Sequence, residues 1–212
     1  MTYAGVLLLF AACRTARPPN AQPLVPLSAN SPADAAQQLA ARRAAFAGER
    51  SLVRLRLGTM STRGQLQVDA TGRMLLTLYS PIGTTLARLY ADGDDVIVLN
   101  DFQSTVWRGK ASDLSGTLGI FGTTPSSLAL LLIGLPPAGL ESITYSSAGM
   151  ETLHLGDVTI AYDPPSYPPT RVSIDRGTRH LEIEHLESYA DNEPVKAPDI
   201  PREYRCCFLP EL

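Results

Sequence analysis

Residues 51–69 read SLVRLRLGTMSTRGQLQVD, and this stretch decides the fold class. Apolar residues alternate with polar ones over 53–57 and again over 66–68. A period of two is typical of a strand with one buried face. Arg63-Gly64 between the two runs predicts the turn of a β-hairpin. The stretch therefore predicts two neighbouring antiparallel strands.

Similar short apolar runs follow along the chain, separated by residues that favour turns. Asp92-Gly93-Asp94 is the clearest hairpin turn among them. Strands recurring every 8–12 residues with turn signals between them favour an antiparallel meander. The further predicted strands are 73–79, 84–91, 96–99, 103–107, 143–145, 150–155, 158–162, 170–174 and 180–186.

Two segments have helical signals. Ser31 can cap a first helix that has Pro32 at its first position and runs through Ala-rich sequence to Ala47. Thr124 can cap a second helix, whose leucine-rich run ends before Gly134. The second helix is apolar nearly all round. It must therefore be covered on most sides or form the lid of an apolar cavity.

Composition narrows the function classes. The 212 residues are 44% hydrophobic and 18% charged, with a formal net charge of −3. This balance is unlike that of a nucleic-acid-binding protein, which favours a basic face. No Gly-x-Ser-x-Gly elbow or phosphate-binding glycine loop occurs in the sequence. The three histidines, His154, His180 and His185, have no cysteine near them in sequence, which disfavours a Cys/His metal site. We expect no enzymatic activity, no catalytic or metal-binding residues and no cofactor.

The N-terminus has the features of an export signal. Residues 4–12 form an apolar run that is too short to span a bilayer, which needs about 20 residues. The run ends in Ala11-Ala12-Cys13, which resembles the lipobox cleaved by lipoprotein signal peptidase. That resemblance implies lipid attachment to Cys13. An ordinary signal peptide or a buried apolar segment is the alternative.

These features divide the chain into four parts. Residues 1–12 are the predicted lipoprotein signal peptide, and 13–31 are the acylated cysteine with a proline-rich tether. Residues 32–190 are the folded domain. Residues 191–212 are again proline-rich and irregular, and we expect a loosely ordered tail there. Cys206 and Cys207 are adjacent, which disfavours a disulfide between them.

Several motifs together resemble the LolB family of outer-membrane lipoprotein receptors. The first is a strand followed by Ser80-Pro81-Ile82-Gly83-Thr84-Thr85 and an alternating strand. The second is the helix that ends in Gly134-Leu135-Pro136. The last is Tyr167-Pro168-Pro169-Thr170-Arg171-Val172, followed by Ile174-Asp175-Arg176 and a strand with alternating charges. With Cys13, the resemblance covers most of the chain.

The resemblance implies an α+β, mainly β fold. The expected architecture is a curved antiparallel sheet that forms an incomplete barrel with helices over its concave face. It implies an apolar cavity for acyl chains. The implied function is to receive lipoproteins from a LolA-like periplasmic carrier and insert them into the outer membrane. The implied partners are that carrier, lipoprotein acyl chains and outer-membrane lipid, and we expect a monomer on the periplasmic face of the outer membrane.

Candidate site residues follow from this resemblance. Pro81, Ile82 and Gly83 would form a membrane-insertion loop, as the matching loop does in the family; alternatively, Ile82 packs down on the sheet rim. Strand alternation permits either face to be the inner one, so the choice of wall residues remains open. The candidates for the cavity wall are Val53, Leu55, Leu76, Leu78, Leu86, Leu89, Leu128, Leu131 and Leu132.

A second class of function is compatible with the same fold. The chain could be a non-transferring lipid-binding lipoprotein or a scaffold subunit of an envelope complex. A hollow concave face favours lipid transfer, whereas a concave face filled by side chains favours the scaffold.

Overall fold

One mostly antiparallel sheet dominates the computed structural model, which describes residues 22–114, 124–140 and 142–206. The strands are β1 (Gln22–Pro23), β2 (Gly48–Leu57), β3 (Met60–Asp69), β4 (Met74–Tyr79), β5 (Thr85–Asp92), β6 (Asp95–Asn100), β7 (Thr105–Lys110), β8 (Ile143–Ser146), β9 (Gly149–Leu155), β10 (Val158–Tyr162), β11 (Arg171–Arg176), β12 (Arg179–Ala190) and β13 (Arg205–Cys206). The helices are α1 (Pro32–Ala44), α2 (Ala111–Leu114) and α3 (Pro125–Leu132).

The strands follow a simple meander with one rearrangement. Their order across the sheet is β13-β7-β6-β5-β4-β3-β2-β12-β11-β10-β9-β8, and β1 adds beside β12. Pairing of β2 with β12 joins the two halves of the meander. The sheet is curved and open. The mainly β class predicted from the sequence is confirmed, and the open curved sheet agrees with an incomplete barrel.

The first hairpin turns at a different place from the one predicted. Arg63 and Gly64 lie inside β3, and the turn lies at Gly58, which has a φ of +57°. Gly64 serves close packing instead: a Cβ there would lie 2.6 Å from the carbonyl oxygen of Thr77 on β4. Because glycine both relaxes turns and permits close approach, the sequence did not separate the two uses.

The apolar core lies on the concave face of the sheet. Helix α1 packs on β8 and β9, and α3 packs on β4 and β5. Ser31 caps α1 as predicted, since its Oγ accepts a hydrogen bond from the N–H of Asp34 at 3.2 Å. Helix α1 ends at Ala44 rather than at the predicted Ala47. Within the described residues, no helix is long and apolar enough to cross a bilayer.

The convex face of the central strands is polar. Arg54 Nη1 lies 2.6 Å from Glu184 Oε2, and Arg56 Nη1 lies 2.8 Å from Glu182 Oε1. These are cross-strand neighbours of β2 and β12. Such partly exposed pairs contribute little stability, but they leave the apolar residues of the same strands on the concave side.

The C-terminal segment departs from the expected loose tail. Residues 191–206 lie against the sheet, where Asp191 pairs with Arg50 at 2.7 Å. The N–H of Val195 donates to Asp69 Oδ2 at 3.1 Å, and Val195 is buried. Strand β13 then pairs in parallel with β7 at the sheet edge. These contacts join residues far apart in sequence, so local proline content does not reveal them.

Candidate functional site

An apolar cavity of about 420 Å³ lies between the concave face of the sheet and α3. It is lined by apolar side chains from β2, β4, β5, β6, β11 and β12, with further residues from α2 and α3. The lining residues are Leu55, Met74, Leu76, Leu89, Ala91, Asp94, Val96, Ala111, Ser112, Thr124, Pro125, Leu128, Leu132, Ile174, Leu181 and Ile183.

Strand register explains why the sheet side of the cavity is apolar. Leu76 of β4 is the direct partner of Leu89 of β5, and Leu55 of β2 is the partner of Ile183 of β12. Side chains at paired positions point to the same face of a sheet. Leu55, Leu76 and Leu89 are only half-buried although they lie on the inner face. The described residues therefore fill the inner face incompletely.

Helix α3 covers the cavity on the side opposite the sheet. Thr124 Oγ1 accepts a hydrogen bond from the N–H of Ser127 at 3.2 Å, which confirms the predicted cap. Leu128 and Leu132 are four residues apart, so they share one helix face, and both line the cavity. Leu131 is fully buried and lies outside the lining.

The end of α3 is fixed by backbone and side-chain hydrogen bonds. Gly134, with a φ of +79°, donates to the carbonyl of Leu131 at 3.0 Å, and the N–H of Leu135 donates to Leu130 at 2.9 Å. This is the Schellman arrangement that glycine permits. The Tyr162 hydroxyl of β10 also donates to the Leu131 carbonyl, at 2.8 Å. Burial raises the pKa of Tyr162, which keeps the hydroxyl protonated as a donor.

His185 of β12 forms a hydrogen bond with the backbone carbonyl of Leu132, the last residue of α3. Its Nε2 lies 2.9 Å from the carbonyl oxygen of Leu132, and because a carbonyl only accepts, Nε2 carries the proton. Burial lowers the pKa of His185 to about 4, so the ring is neutral near pH 7. Its Nδ1 is then an acceptor, with the Ser188 hydroxyl at 3.5 Å.

A chain of buried polar groups continues from this histidine. Ser188 Oγ lies 2.8 Å from Ser51 Oγ, which lies 2.7 Å from Glu49 Oε1. Each hydroxyl has one proton. The Ser51 hydroxyl donates its proton to Glu49 Oε1, so the Ser188 hydroxyl is the donor in its hydrogen bond to Ser51. Burial raises the pKa of Glu49 to about 7, while the hydrogen bond that it accepts from Ser51 acts in the opposite direction.

The cavity meets solvent at its polar end. Among the described lining residues, Asp94, Ser112 and Thr124 are exposed. They lie at the β5–β6 turn, in α2 and at the cap of α3. An elongated apolar ligand would thus have a polar exit for a head group and an apolar interior for a chain.

Five of the nine residues proposed for the cavity wall line the cavity: Leu55, Leu76, Leu89, Leu128 and Leu132. The remaining four lie elsewhere. Val53 and Leu131 are fully buried in the core. Leu78 is half-buried on β4 outside the lining, and Leu86 is the unpaired extra residue of a β-bulge in β5.

Sequence reasoning missed lining residues on the C-terminal strands. Leu181 and Ile183 alternate with glutamates in β12, which is typical of a strand with one apolar face, and both line the cavity. This pattern did not show that β12 lies beside β2, because that pairing joins distant parts of the chain. Nothing in the sequence indicated that Ala91 and Ala111 line the cavity. Their side chains are small, so they help to form the cavity by leaving its space unfilled.

The proposed insertion loop lies at the turn between β4 and β5. The N–H of Gly83 donates to the carbonyl of Ser80 at 2.9 Å and closes the turn. Gly83 has a φ of +86°, and Pro81 is exposed. Ile82 at the tip is 87% exposed and does not pack on the sheet rim.

The remaining residues that the sequence singled out are not part of this cavity. The proposed signal peptide, Cys13 and Cys207 lie outside the described residues. Cys206 has an exposed thiol. In the described parts of the chain, no group of three or more acidic, His or Cys side chains is placed to hold a metal ion.

The chain matches no protein-family model and no curated protein. Among solved structures, it is similar to an uncharacterized conserved protein from Thermus thermophilus, with 11% identity, a TM-score of 0.43, and coverage of 82% of this chain and 98% of the other. It is similar to a LolA superfamily protein from Nitrosomonas europaea, with 10% identity, a TM-score of 0.42, and coverage of 76% and 95%. It is also similar to the Mycobacterium tuberculosis lipoprotein LppX, with 17% identity, a TM-score of 0.34, and coverage of 76% and 96%.

Proposed function

We propose that this protein binds acyl chains in the cavity beneath α3 and passes them on without covalent chemistry. The cavity of about 420 Å³, with its leucine-rich walls, is the observation that carries the proposal. Its volume falls within the range of about 300–1,000 Å³ that is usual for small-molecule sites. The polar exit at Asp94 and Ser112 suits a ligand with one polar end.

The physical need for such a carrier is simple. Each buried methylene group is worth about 0.8 kcal/mol, so a long acyl chain does not cross water unaided at a useful rate. Exchange between two apolar cavities is nearly neutral in free energy. A difference of about 1.4 kcal/mol between the two sites shifts the distribution tenfold, which is enough to set a direction. No nucleotide is required.

In the full proposal the protein is acylated at Cys13 and lies on the periplasmic face of the outer membrane. It takes lipoproteins from a LolA-like carrier and inserts them into that membrane. The Ala11-Ala12-Cys13 sequence and the ordered LolB-like motifs support this assignment. The exposed Ile82 turn supports a contact between the protein and lipid.

The alternative is a lipoprotein that binds lipid without transferring it or that serves as a scaffold. A scaffold needs no hollow concave face, and the incompletely filled inner face supports lipid binding instead. Binding and transfer separate experimentally, because a storage protein takes up an acyl chain without delivering it.

Uptake of a fluorescent fatty acid by the purified protein tests the binding step. Leu76→Trp should fill part of the cavity and reduce uptake, since Leu76 is in the wall. Leu75→Trp is the matched control, because the neighbouring residue of β4 points to the convex face. Absence of uptake by the unaltered protein, or equal loss in both variants, would contradict the proposal.

Delivery is tested by mixing the loaded protein with acceptor liposomes and following the fluorescence of the fatty acid. Transfer faster than spontaneous release into buffer supports the full proposal. Uptake followed by no faster delivery supports the storage alternative.

A further inference from the structure

Exposed apolar side chains are concentrated at one rim of the sheet. Four of the five large apolar side chains that are exposed in the described residues lie there. Met60 is 67% exposed, Ile82 is 87% exposed and Phe102 is 80% exposed. Leu57, the partner of Met60 across the first hairpin, is the fourth, at 40%.

The meander places these residues at one end. The β2–β3, β4–β5 and β6–β7 turns share one rim, because successive hairpins of a meander turn at alternate ends. Adjacent strands are about 4.8 Å apart, so tips that are two strands apart are separated by about 10 Å. Met60, Ile82 and Phe102 therefore form a row about 20 Å long.

We propose that this row is a three-point contact with a lipid surface, in which Met60 and Phe102 enter the membrane interface together with Ile82. The inference deepens the proposed function and rests on its claim that the protein works at a membrane. We call this set, Met60, Ile82 and Phe102, the apolar rim.

The chemistry around the apolar rim fits lipid better than a protein partner. Each apolar residue lies among small polar residues, such as Ser80, Thr84 and Gln103. Isolated apolar points suit a fluid surface that closes around them, whereas a protein interface needs a continuous complementary patch of about 1,000 Å² or more. Asp101, the acidic residue beside Phe102, is neutralised by Arg88, whose Nη2 lies 2.5 Å from its Oδ1.

The opposite rim has the opposite character. Asp92 and Asp94 are exposed around the β5–β6 turn, and the neighbouring Asp95 pairs with Lys110, whose Nζ lies 2.7 Å from its Oδ1. No large apolar side chain is exposed at the two turns of that rim, 70–73 and 93–94. Acidic groups are repelled by the anionic lipids of a membrane surface. The difference between the two rims therefore orients the protein with the apolar rim toward the bilayer.

The tether length is compatible with this orientation. Gln22, the first described residue, is nine positions after Cys13, and nine extended residues span at most about 32 Å. Gln22 pairs beside Ala190, at the end of β12 far from the apolar rim. Ala190 is the partner of Glu49 on β2, and the eight steps along β2 from Glu49 to Leu57 at the rim span about 26 Å. An anchor at Cys13 can thus share one membrane with the apolar rim.

Environment-sensitive labels test the contact directly. The full chain carries Cys13→Ser, Cys206→Ser and Cys207→Ser, so that no anchor masks the contact and each label has one site. Single cysteines replace Met60, Ile82 or Phe102, and Thr71→Cys on the opposite rim is the control. The probes are vesicles of phosphatidylcholine and vesicles that also contain phosphatidylglycerol.

Labels at all three rim positions should shift to the emission of an apolar environment when vesicles are added, and the Thr71 label should not. Without labels, Phe102→Ser and Met60→Ser should each lower vesicle partitioning by about tenfold. A shift at Ile82 alone, or equal shifts on both rims, would overturn the three-point contact. Labels that stay polar with vesicles but shift with a carrier protein would also overturn it. Fatty-acid uptake is measured in the same samples, so failure of the cavity proposal is seen separately.

Discussion

The Nε2 atom of His185 lies 2.9 Å from the carbonyl oxygen of Leu132, which ties the middle of β12 to the last turn of the helix above the cavity. Leu132 lines the cavity, and β12 supplies Leu181 and Ile183 to the opposite wall. One buried hydrogen bond therefore links two walls of the binding site. Its loss should affect both folding and ligand uptake.

We expect His185→Ala to lower the free energy of unfolding by about 1–3 kcal/mol, because it leaves the buried Leu132 carbonyl without this donor. Fatty-acid uptake should fall as well, since the end of α3 is less firmly held. Urea denaturation and uptake assays measure the two effects. His154→Ala is the control, because His154 is exposed on β9. Equal stability of the two variants would show that the His185 bond is unimportant.

The second prediction is that the stability of the fold depends on pH through the protonation of Glu49. Its pKa is raised from 4.5 to about 7, mainly by burial, so the folded state keeps a proton that the unfolded state releases. The stability this provides is fully present below pH 4.5 and is lost as pH rises through about 7. We expect a loss of about 1–3 kcal/mol over that window.

Glu49→Gln should remove this dependence, because the amide is neutral at every pH and its oxygen can still accept the hydrogen bond from Ser51. Denaturation at pH 5 and pH 8 should show a smaller stability difference in the variant than in the unaltered protein. Only the change with pH is compared, so any constant cost of the substitution cancels. An unchanged pH slope would mean that Glu49 is already ionised at pH 5.

The sequence predicted which segments form strands better than it predicted which residues of those strands line the concave face. Alternation of apolar and polar residues identified β2 and β12. It shows which residues share a face only within a strand that has no bulge. Leu86 and Leu89 are three positions apart, so simple alternation already places them on opposite faces, and only Leu89 lines the cavity. The contact of Val195 with Asp69 joins residues 126 positions apart, so the sequence around either residue does not indicate it.

Leu131 and Leu89 should separate stability from binding. Leu131 is fully buried in the core, so Leu131→Ala should cost about 2–5 kcal/mol of unfolding free energy. Leu89 is half-buried in the cavity wall, and Leu89→Ala should cost less while changing fatty-acid affinity. Urea midpoints and uptake by the folded variants give the comparison. A larger stability loss at Leu89 than at Leu131 would contradict the described packing.

The anchor prediction concerns Cys13. We expect Cys13→Ala to yield a protein without attached lipid that is poorly processed or poorly exported. Mass spectrometry of the mature N-terminus measures this in the unaltered protein. Cys206→Ala is a matched control, since this exposed thiol lies at the far end of the chain. An unmodified Cys13, or cleavage at another position, would refute lipid attachment.

Ile82→Glu should slow transfer to liposomes while leaving the fold intact. Ile82 is 87% exposed on a turn that is closed by the Gly83–Ser80 hydrogen bond, so its replacement should change stability by no more than about 0.5 kcal/mol. Fatty-acid uptake should also be unchanged, because Ile82 is outside the cavity lining. One isoleucine gains only about 1.5–3 kcal/mol on burial, too little for stable anchoring but enough to disturb the packing of the lipids that it contacts.

The rate of fluorescence transfer from loaded protein to liposomes measures this kinetic role. Ile82→Leu is the control, since it keeps an apolar tip of similar size and should transfer at the normal rate. A loss of several kcal/mol of stability in Ile82→Glu would place Ile82 in the core. Normal transfer by Ile82→Glu, with normal uptake, would show that delivery does not depend on this turn.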